Sequence, residues 1–178
     1  MKPSWPKSFW KLTIEKDRFK FSSAHMTLFA DGSKEALHGH NYTVRLDVVL
    51  SSSSLAQTIS FSVFKELLGP LCEAWDERIL IATANSQTQC QTQGDSLEAT
   101  VCKKRYVFPA DEVVCLDVEN ITSELLASEL AGRLVESLKG AGYWGDKLSN
   151  GVANPIQGIE LHIIETAGQG ASFTVMRT

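Results

Sequence analysis

The sequence predicts an α+β fold, a β-sheet carrying two helices on one face. Three observations predict it. Apolar residues alternate with period two early in the chain, from Trp10 to Ala24 and again from His40 to Leu50. Helical spacing follows twice, from Phe61 to Trp75 and in ENITSELLASELAGRLVESLKG. Two β-like runs close the chain, GIELHIIET and ASFTVMRT, around an AGQG turn. Strands gathered at the two ends, with helices between them, indicate segregated rather than alternating layers.

The first strand carries two apolar sets, Trp10, Leu12 and Ile14, then Phe19 and Phe21 with the opposite parity. A parity switch within one long strand predicts a bulge or turn near Lys16 and Asp17. In the second strand His40, Tyr42, Val44, Leu46, Val48 and Leu50 face one way, and Asn41, Thr43, Arg45, Asp47 and Val49 the other. SSSS at 51–54 is a polar turn. The first helix spaces Phe61, Phe64, Leu67, Leu68, Leu71, Cys72 and Trp75 along one face. Ser60 or Ser62 caps it, Gly69-Pro70 is expected to kink or split it, and Asp76-Glu77 follow at its end. NSQTQCQTQGDS at 85–96 reads as an exposed loop. LEATVCKK and RYVFP read as an inserted hairpin, and VVCLDV as a further short β-run. The second helix aligns Leu126, Leu130, Leu134 and Leu138, with Thr122 or Asn120 as cap, Glu124 in its first turn and Gly140 after its end. Residues 1–178 thus read as one domain, with 83–112 as its insertion.

The bulk composition excludes several function classes. The 178 residues are 43% hydrophobic and 21% charged, with a net charge of −4, ordinary values for a soluble domain with a sizeable core. The basic residues are scattered, so neither a nucleic-acid footprint nor a polybasic membrane patch is present. The N-terminal MKPSWPKSFWKLTIEKD has no continuous apolar segment of the signal-peptide type. No apolar run approaches the roughly 20 residues of a membrane helix. The cysteines, Cys72, Cys90, Cys102 and Cys115, match no CxxC pattern and read as reduced thiols of a cytoplasmic protein.

The chemistry lies in the histidines. Of four in the chain, three are His25, His38 and His40. His38 and His40 stand at i and i+2 of an extended segment, so their imidazoles point the same way. His25 ends the preceding strand and reaches the same point if the two strands pair as a meander. Three imidazoles suit Zn²⁺ and leave its fourth position open, the arrangement of catalytic rather than structural zinc. His162 is opposite in parity to Glu165 and reads as a sheet residue. Lewis-acid chemistry needs a proton acceptor nearby. Glu35, three residues before His38, is one candidate, and Asp76 and Glu77 are others. Glu165, in a mostly apolar strand before the AGQG turn, is either exposed at the strand end or buried to grip a cationic or amide-bearing ligand.

FSSAH, then ExxHGHNYTVRL, FSVFKELL with WDER, ENITSELLA and IELHIIET, in that order, resemble the 6-pyruvoyltetrahydropterin synthase / 6-carboxytetrahydropterin synthase family. The resemblance implies the tunnelling fold (T-fold), a four-stranded antiparallel sheet with two helices on one face in the order β-β-α-α-β-β. It implies sheets joined edge to edge in homo-oligomers, trimers or dimers of trimers (homohexamers), with sites at subunit interfaces. It implies zinc on His25, His38 and His40, and a pterin anchored by Glu165 through paired hydrogen bonds. The substrates it implies are dihydropterins with a polyol side chain, commonly as the triphosphate, from which a base removes a carbon-bound proton.

Two positions depart from the family pattern. The usual catalytic cysteine lies four residues before the first histidine of H-G-H, where this chain has Lys34; at the variant place, six before, it has Gly32. Glu35 instead fits the subgroup in which glutamate replaces cysteine, whose members resemble enzymes cleaving dihydroneopterin-type side chains toward 6-hydroxymethyl-dihydropterin in folate synthesis. Where the family has Asp-His after the first helix, this chain has Asp76-Glu77, and a carboxylate titrates about two units below imidazole. The resulting expectation is a zinc-dependent lyase acting on 7,8-dihydroneopterin or its triphosphate, with Glu35 as base and Asp76 and Glu77 as proton relay. The alternatives are a 6-carboxytetrahydropterin synthase of the deazapurine pathway, a non-catalytic pterin- or purine-binding paralogue, and, more remotely, a zinc hydrolase of another heterocycle.

Overall fold

Strands β1 (Trp10–His25) and β2 (His38–Leu50) form a long antiparallel pair. Its register shifts between Glu15 and Lys20, the bulge that the parity switch requires. Ile14 before the shift and Phe19 and Phe21 after it therefore all reach one core. The computed structural model describes residues 8–178; the first seven, part of the stretch read as lacking a signal segment, lie outside them.

Helix α1 (Phe61–Glu73) starts at Ser60, whose side chain accepts from the Ser62 amide. Pro70 lies inside it and does not split it. The helix ends three residues later, so one helical hydrogen bond is lost near its C-terminal end and little helix follows to be displaced. Trp75 lies beyond the helix yet is fully buried, edge-on to Phe21 with ring centroids 5.3 Å apart.

The next strand, β3 (Arg78–Ala82), has no period-two signature because Leu80 and Ala82 enter the main core while Ile81 enters a second one. The stretch 85–96, expected as a loop, contains strand β4 (Thr88–Gln93). It pairs with β5 (Ser96–Val101), which pairs with β6 (Lys104–Pro109), so the insertion is a three-stranded sheet rather than a hairpin. Only Thr88 of β4 is buried; strand pairing holds this segment, and pairing leaves no hydrophobic trace in sequence. The tight β5–β6 connection places Cys102 and Lys103 at φ 46° and 65°, as two-residue hairpin turns require.

Strand β7 (Val113–Leu116) runs parallel to β3, and β3 parallel to the end of β1. Helix α2 (Ser123–Gly140) is capped by Thr122, and Leu126, Leu130, Leu134 and Leu138 are completely buried. Strands β8 (Ile156–Thr166) and β9 (Gln169–Met176) complete a sheet ordered β7-β3-β1-β2-β8-β9. It is therefore a mixed six-stranded sheet, not the four-stranded antiparallel one expected. The antiparallel part, β1-β2-β8-β9, is extended by two short parallel strands. Helix α1 packs on β1 and on α2, which covers β8 and β9. No helix among the described residues is long and apolar enough to cross a membrane.

On the opposite sheet face Asp47 is buried, its side chain 1% exposed. Its carboxylate accepts from Thr13 Oγ1 at 2.7 Å and Arg45 Nη2 at 3.0 Å, and lies 3.1 Å from His162 Nε2. Burial opposes ionisation, but these hydrogen bonds outweigh it and hold the carboxyl below its ordinary range. A depressed folded value stabilises above the unfolded carboxyl value of about 3.9 and is lost as pH falls through the folded one. Asp47→Asn is expected to cost about 2 kcal/mol, because it removes the charge from the buried acceptor that Thr13 and Arg45 share, while Arg45 and Lys11 stay partly exposed to water. Urea unfolding at pH 7 measures this, and a change under about 0.5 kcal/mol would show the network to be energetically idle.

Candidate active site

The site stands where the β1–β2 pair ends against the N-terminus of α2. His25 is the cross-strand partner of His38, and Ser23 of His40. One sheet face therefore carries all three imidazoles. Their ring centroids are 4.6, 4.9 and 5.4 Å apart, and one nitrogen from each lies within 4.8 Å of the others. Gly39 between the two β2 histidines has a backbone reason, since a Cβ there would lie 3.2 Å from the Ser23 carbonyl oxygen.

The hydrogen-bond state of the imidazoles suits a cation. His38 Nδ1 donates to the Ala36 carbonyl at 2.8 Å, so the neutral ring presents Nε2 as a bare lone pair. His25 is 4% exposed, its Nε2 is 3.1 Å from the Tyr42 hydroxyl, and its buried Nδ1 has no hydrogen-bond partner among the described residues. Burial, and then the adjacent His38 and His40, push His25 down to about 4, so it is neutral at physiological pH and free to ligate. Burial, and then the charge of Glu165, raise the Tyr42 hydroxyl above its ordinary value, which keeps it protonated.

A cavity of about 420 Å³ opens over the imidazoles. Two expected carboxylates line it. Glu35 Oε2 lies 3.8 Å from His38 Nε2, and Glu165 Oε1 lies 2.9 Å from His40 Nε2. Ser123, the first residue of α2, donates to Glu165 Oε2 at 3.1 Å. Thr27, Thr122 and Gly170 also line the cavity. A side chain at Gly170 would collide with the Ile163 carbonyl, so β9 must pass there as bare backbone.

Asp76 and Glu77 are not brought to this cavity. Asp76 Oδ1 accepts from the Ser22 amide at 2.7 Å, and the Glu77 amide donates to the Ser22 carbonyl at 2.7 Å. The pair docks the α1–β3 turn on the edge of β1, with Glu77 in the left-handed region at φ 56°. Glu77 lines a second cavity, with Ser22, Ala24, Gly39 and Asn41, that shares only His40 with the first. Within one chain these acids are separated from Glu35.

Sequence reasoning missed Ser123, Thr27 and the brace behind Glu35. Ser123 and Thr122 carry only a helix-cap signal. Asn120, weighed as that cap, instead clamps the Leu28 backbone, accepting from its amide at 3.0 Å and donating to its carbonyl at 2.9 Å. The inserted sheet holds the far side of the same loop. Gln87 Nε2 donates to the Phe29 carbonyl at 3.2 Å, Lys34 Nζ lies 5.2 Å from the Tyr106 ring centroid, and Met26 and Leu28 pack with Leu97, Ala99 and Val101. A second acid–histidine group, Asp47, Glu160 and His162, is already engaged by Lys11, Arg45, Thr13 and Ser172 and forms a salt-bridge network.

Comparison with known proteins places the geometry in context. Residues 13–174 match the family model described as 6-pyruvoyl tetrahydropterin synthase. A Methanocaldococcus jannaschii protein provisionally named 6-carboxy-5,6,7,8-tetrahydropterin synthase is 27% identical over 157 residues, covering 86% of this chain and 88% of that one. A Pyrococcus horikoshii protein with the same provisional name is 27% identical over 119 residues, 66% and 71% of the two chains. The crystal structure of Plasmodium vivax 6-pyruvoyl tetrahydropterin synthase superposes with a TM-score of 0.80 at 22% identity, covering 96% of this chain and 99% of that one. Two further structures of the P. vivax enzyme carry alanine or cysteine at a glutamate described as a catalytic residue.

Proposed function

Because the chain belongs to the 6-pyruvoyl tetrahydropterin synthase family of pterin-modifying lyases, we propose that it is a zinc-dependent lyase acting on the side chain of 7,8-dihydroneopterin or its triphosphate. The observation that carries the proposal is the convergence of Glu35 and Glu165 on one three-histidine cluster in one cavity.

His25, His38 and His40 would hold the zinc ion. When bound, it supplies Lewis acidity toward the side-chain hydroxyls of the substrate. Glu35 takes a proton from that side chain, standing beside the cluster on a loop tied down by its own amide, which donates to the Thr27 carbonyl at 2.9 Å. Glu165 anchors the pterin edge as an acceptor of two parallel N–H bonds. Ser123 holds its second oxygen, and the present contact with His40 is exchanged for the ligand. The catalytic glutamate of the P. vivax enzyme supports a glutamate base here.

Asp76 and Glu77 act, on this proposal, from a second copy of the chain. Among the described residues β1 pairs with β3 only at Ser23 and Ala24, which leaves its outer edge open from Trp10 onward, and β9 is a terminal strand of the sheet. Unpaired edges need cover, and β9 also exposes Phe173 and Met176. Edge-to-edge closure in a trimer or dimer of trimers would cover both.

A second reading, 6-carboxytetrahydropterin synthase, is favoured by the names of the archaeal relatives; Lys34 at the place of the expected cysteine weighs against it. Product identification by mass spectrometry separates the readings. A 6-pyruvoyl or 6-hydroxymethyl product supports the proposal, a 6-carboxy product the second reading, and tight pterin binding without turnover a non-catalytic member. Glu165→Gln is expected to raise the Kd for pterin about 10- to 100-fold, by weakening charge-assisted hydrogen bonds. Calorimetric titration checks this, and unchanged affinity would remove Glu165 from the anchor role.

A further inference from the structure

Two cysteines outside the site, Cys90 on β4 and Cys115 on β7, lie on the two sheet faces that form the seam between the sheets. The strand registers aim them there. Cys90 pairs with Ala99, so its side chain shares the face on which Leu97, Ala99 and Val101 are buried in the second core. Cys115 pairs with Ile81 and shares the face on which Ile79, Ile81 and Val113 pack into that same core. The two faces are pressed together, and both cysteines occupy the open rim: each is exposed, whereas Cys72 is buried. Burial, and then the nearby Cys115, push the Cys90 thiol up to about 11. Such a thiol is almost wholly protonated near neutrality and exchanges slowly.

We propose that Cys90 and Cys115 are a modification site, forming a reversible disulfide that fastens the inserted three-stranded sheet to the edge strand of the six-stranded sheet. With a disulfide oxidant such as oxidised glutathione, one cysteine thiolate attacks the glutathione S–S bond, releases one glutathione thiolate and leaves a mixed disulfide. The second cysteine then displaces the other glutathione. One S–S bond forms and one breaks. The protein loses two electrons and two protons, and both are carried off on two molecules of reduced glutathione. The seam contains Met26 and Leu28, on either side of Thr27, so the bond braces the segment between His25 and Glu35.

The test uses the full chain carrying C102S, which removes the remaining partly exposed thiol. The protein is equilibrated for a day in glutathione buffers of rising oxidised fraction, alkylated under denaturing conditions and digested with trypsin. The expected product is peptide 79–103 joined to peptide 106–133, two hydrogens lighter than their sum, absent when C90S or C115S is added, and accompanied by a higher thermal midpoint in the oxidised protein. Wild-type protein run in parallel, with the joined cysteine located by fragmentation, makes the result independent of the C102S background. Full alkylation of both cysteines, glutathione adducts alone, or covalent dimers through either one would overturn the proposal.

Discussion

Glu35→Gln is expected to lower kcat for the side-chain reaction by about 10²- to 10⁴-fold, the range associated with losing a general base, while pterin affinity and bound metal stay unchanged. The substitution preserves shape and removes only the proton acceptor. The side chain is 46% exposed, so no core contact is lost. The loop keeps its backbone tie to Thr27 and its Asn120 clamp at Leu28, so the geometry stays in place. Steady-state kinetics with metal content measured on the same sample checks the result. A kcat close to wild type would require a different base, and the acids of the second cavity would be next in line.

His38→Ala is expected to abolish turnover by a different route, through loss of the metal. Removing even an outer partner of a metal-bound histidine costs about 10- to 100-fold in affinity, so removing one of three ligands should cost at least that much. After dialysis, bound metal should drop from one equivalent per chain to a small fraction. His38 is the informative choice because its side chain is 35% exposed at the start of β2, and its removal leaves no core cavity. His25, buried and hydrogen-bonded to Tyr42, would confound metal loss with destabilisation. Undiminished metal in folded His38→Ala protein would move the metal away from this cluster.

The parts legible in the sequence were those with a local period. His38 and His40 were readable as convergent because two residues along a strand share a face, and His25 joined them through a meander that the pairing realises. The four buried leucines of α2 and the parity switch in β1 were readable for the same reason. The misses arise where no local signal exists. Strand β3 is buried on both faces and loses its alternation, and with it went the six-stranded sheet. Strand β4 is a run of mostly exposed Gln and Thr with one cysteine, held chiefly by pairing. Asp47 sits on the polar parity of β2, yet the Arg45 and His162 side chains and Lys11 seal it from water. Ser123 meets Glu165 across 42 residues, a contact no spacing rule reaches. The adjacency of Asp76 to Glu77 was plain in sequence, but their capture by the Ser22 backbone, away from Glu35, required the fold.

Turnover of 7,8-dihydroneopterin triphosphate before chelation, after chelation and after reloading with one equivalent of zinc tests the central claim most directly. The expected result is activity that disappears with the metal and returns with it in wild type, and zinc binding without activity in Glu35→Gln. Chelated protein that keeps its full rate, or zinc-loaded wild type that binds the pterin and leaves both it and 7,8-dihydroneopterin unchanged, would contradict the assignment of a zinc-dependent lyase.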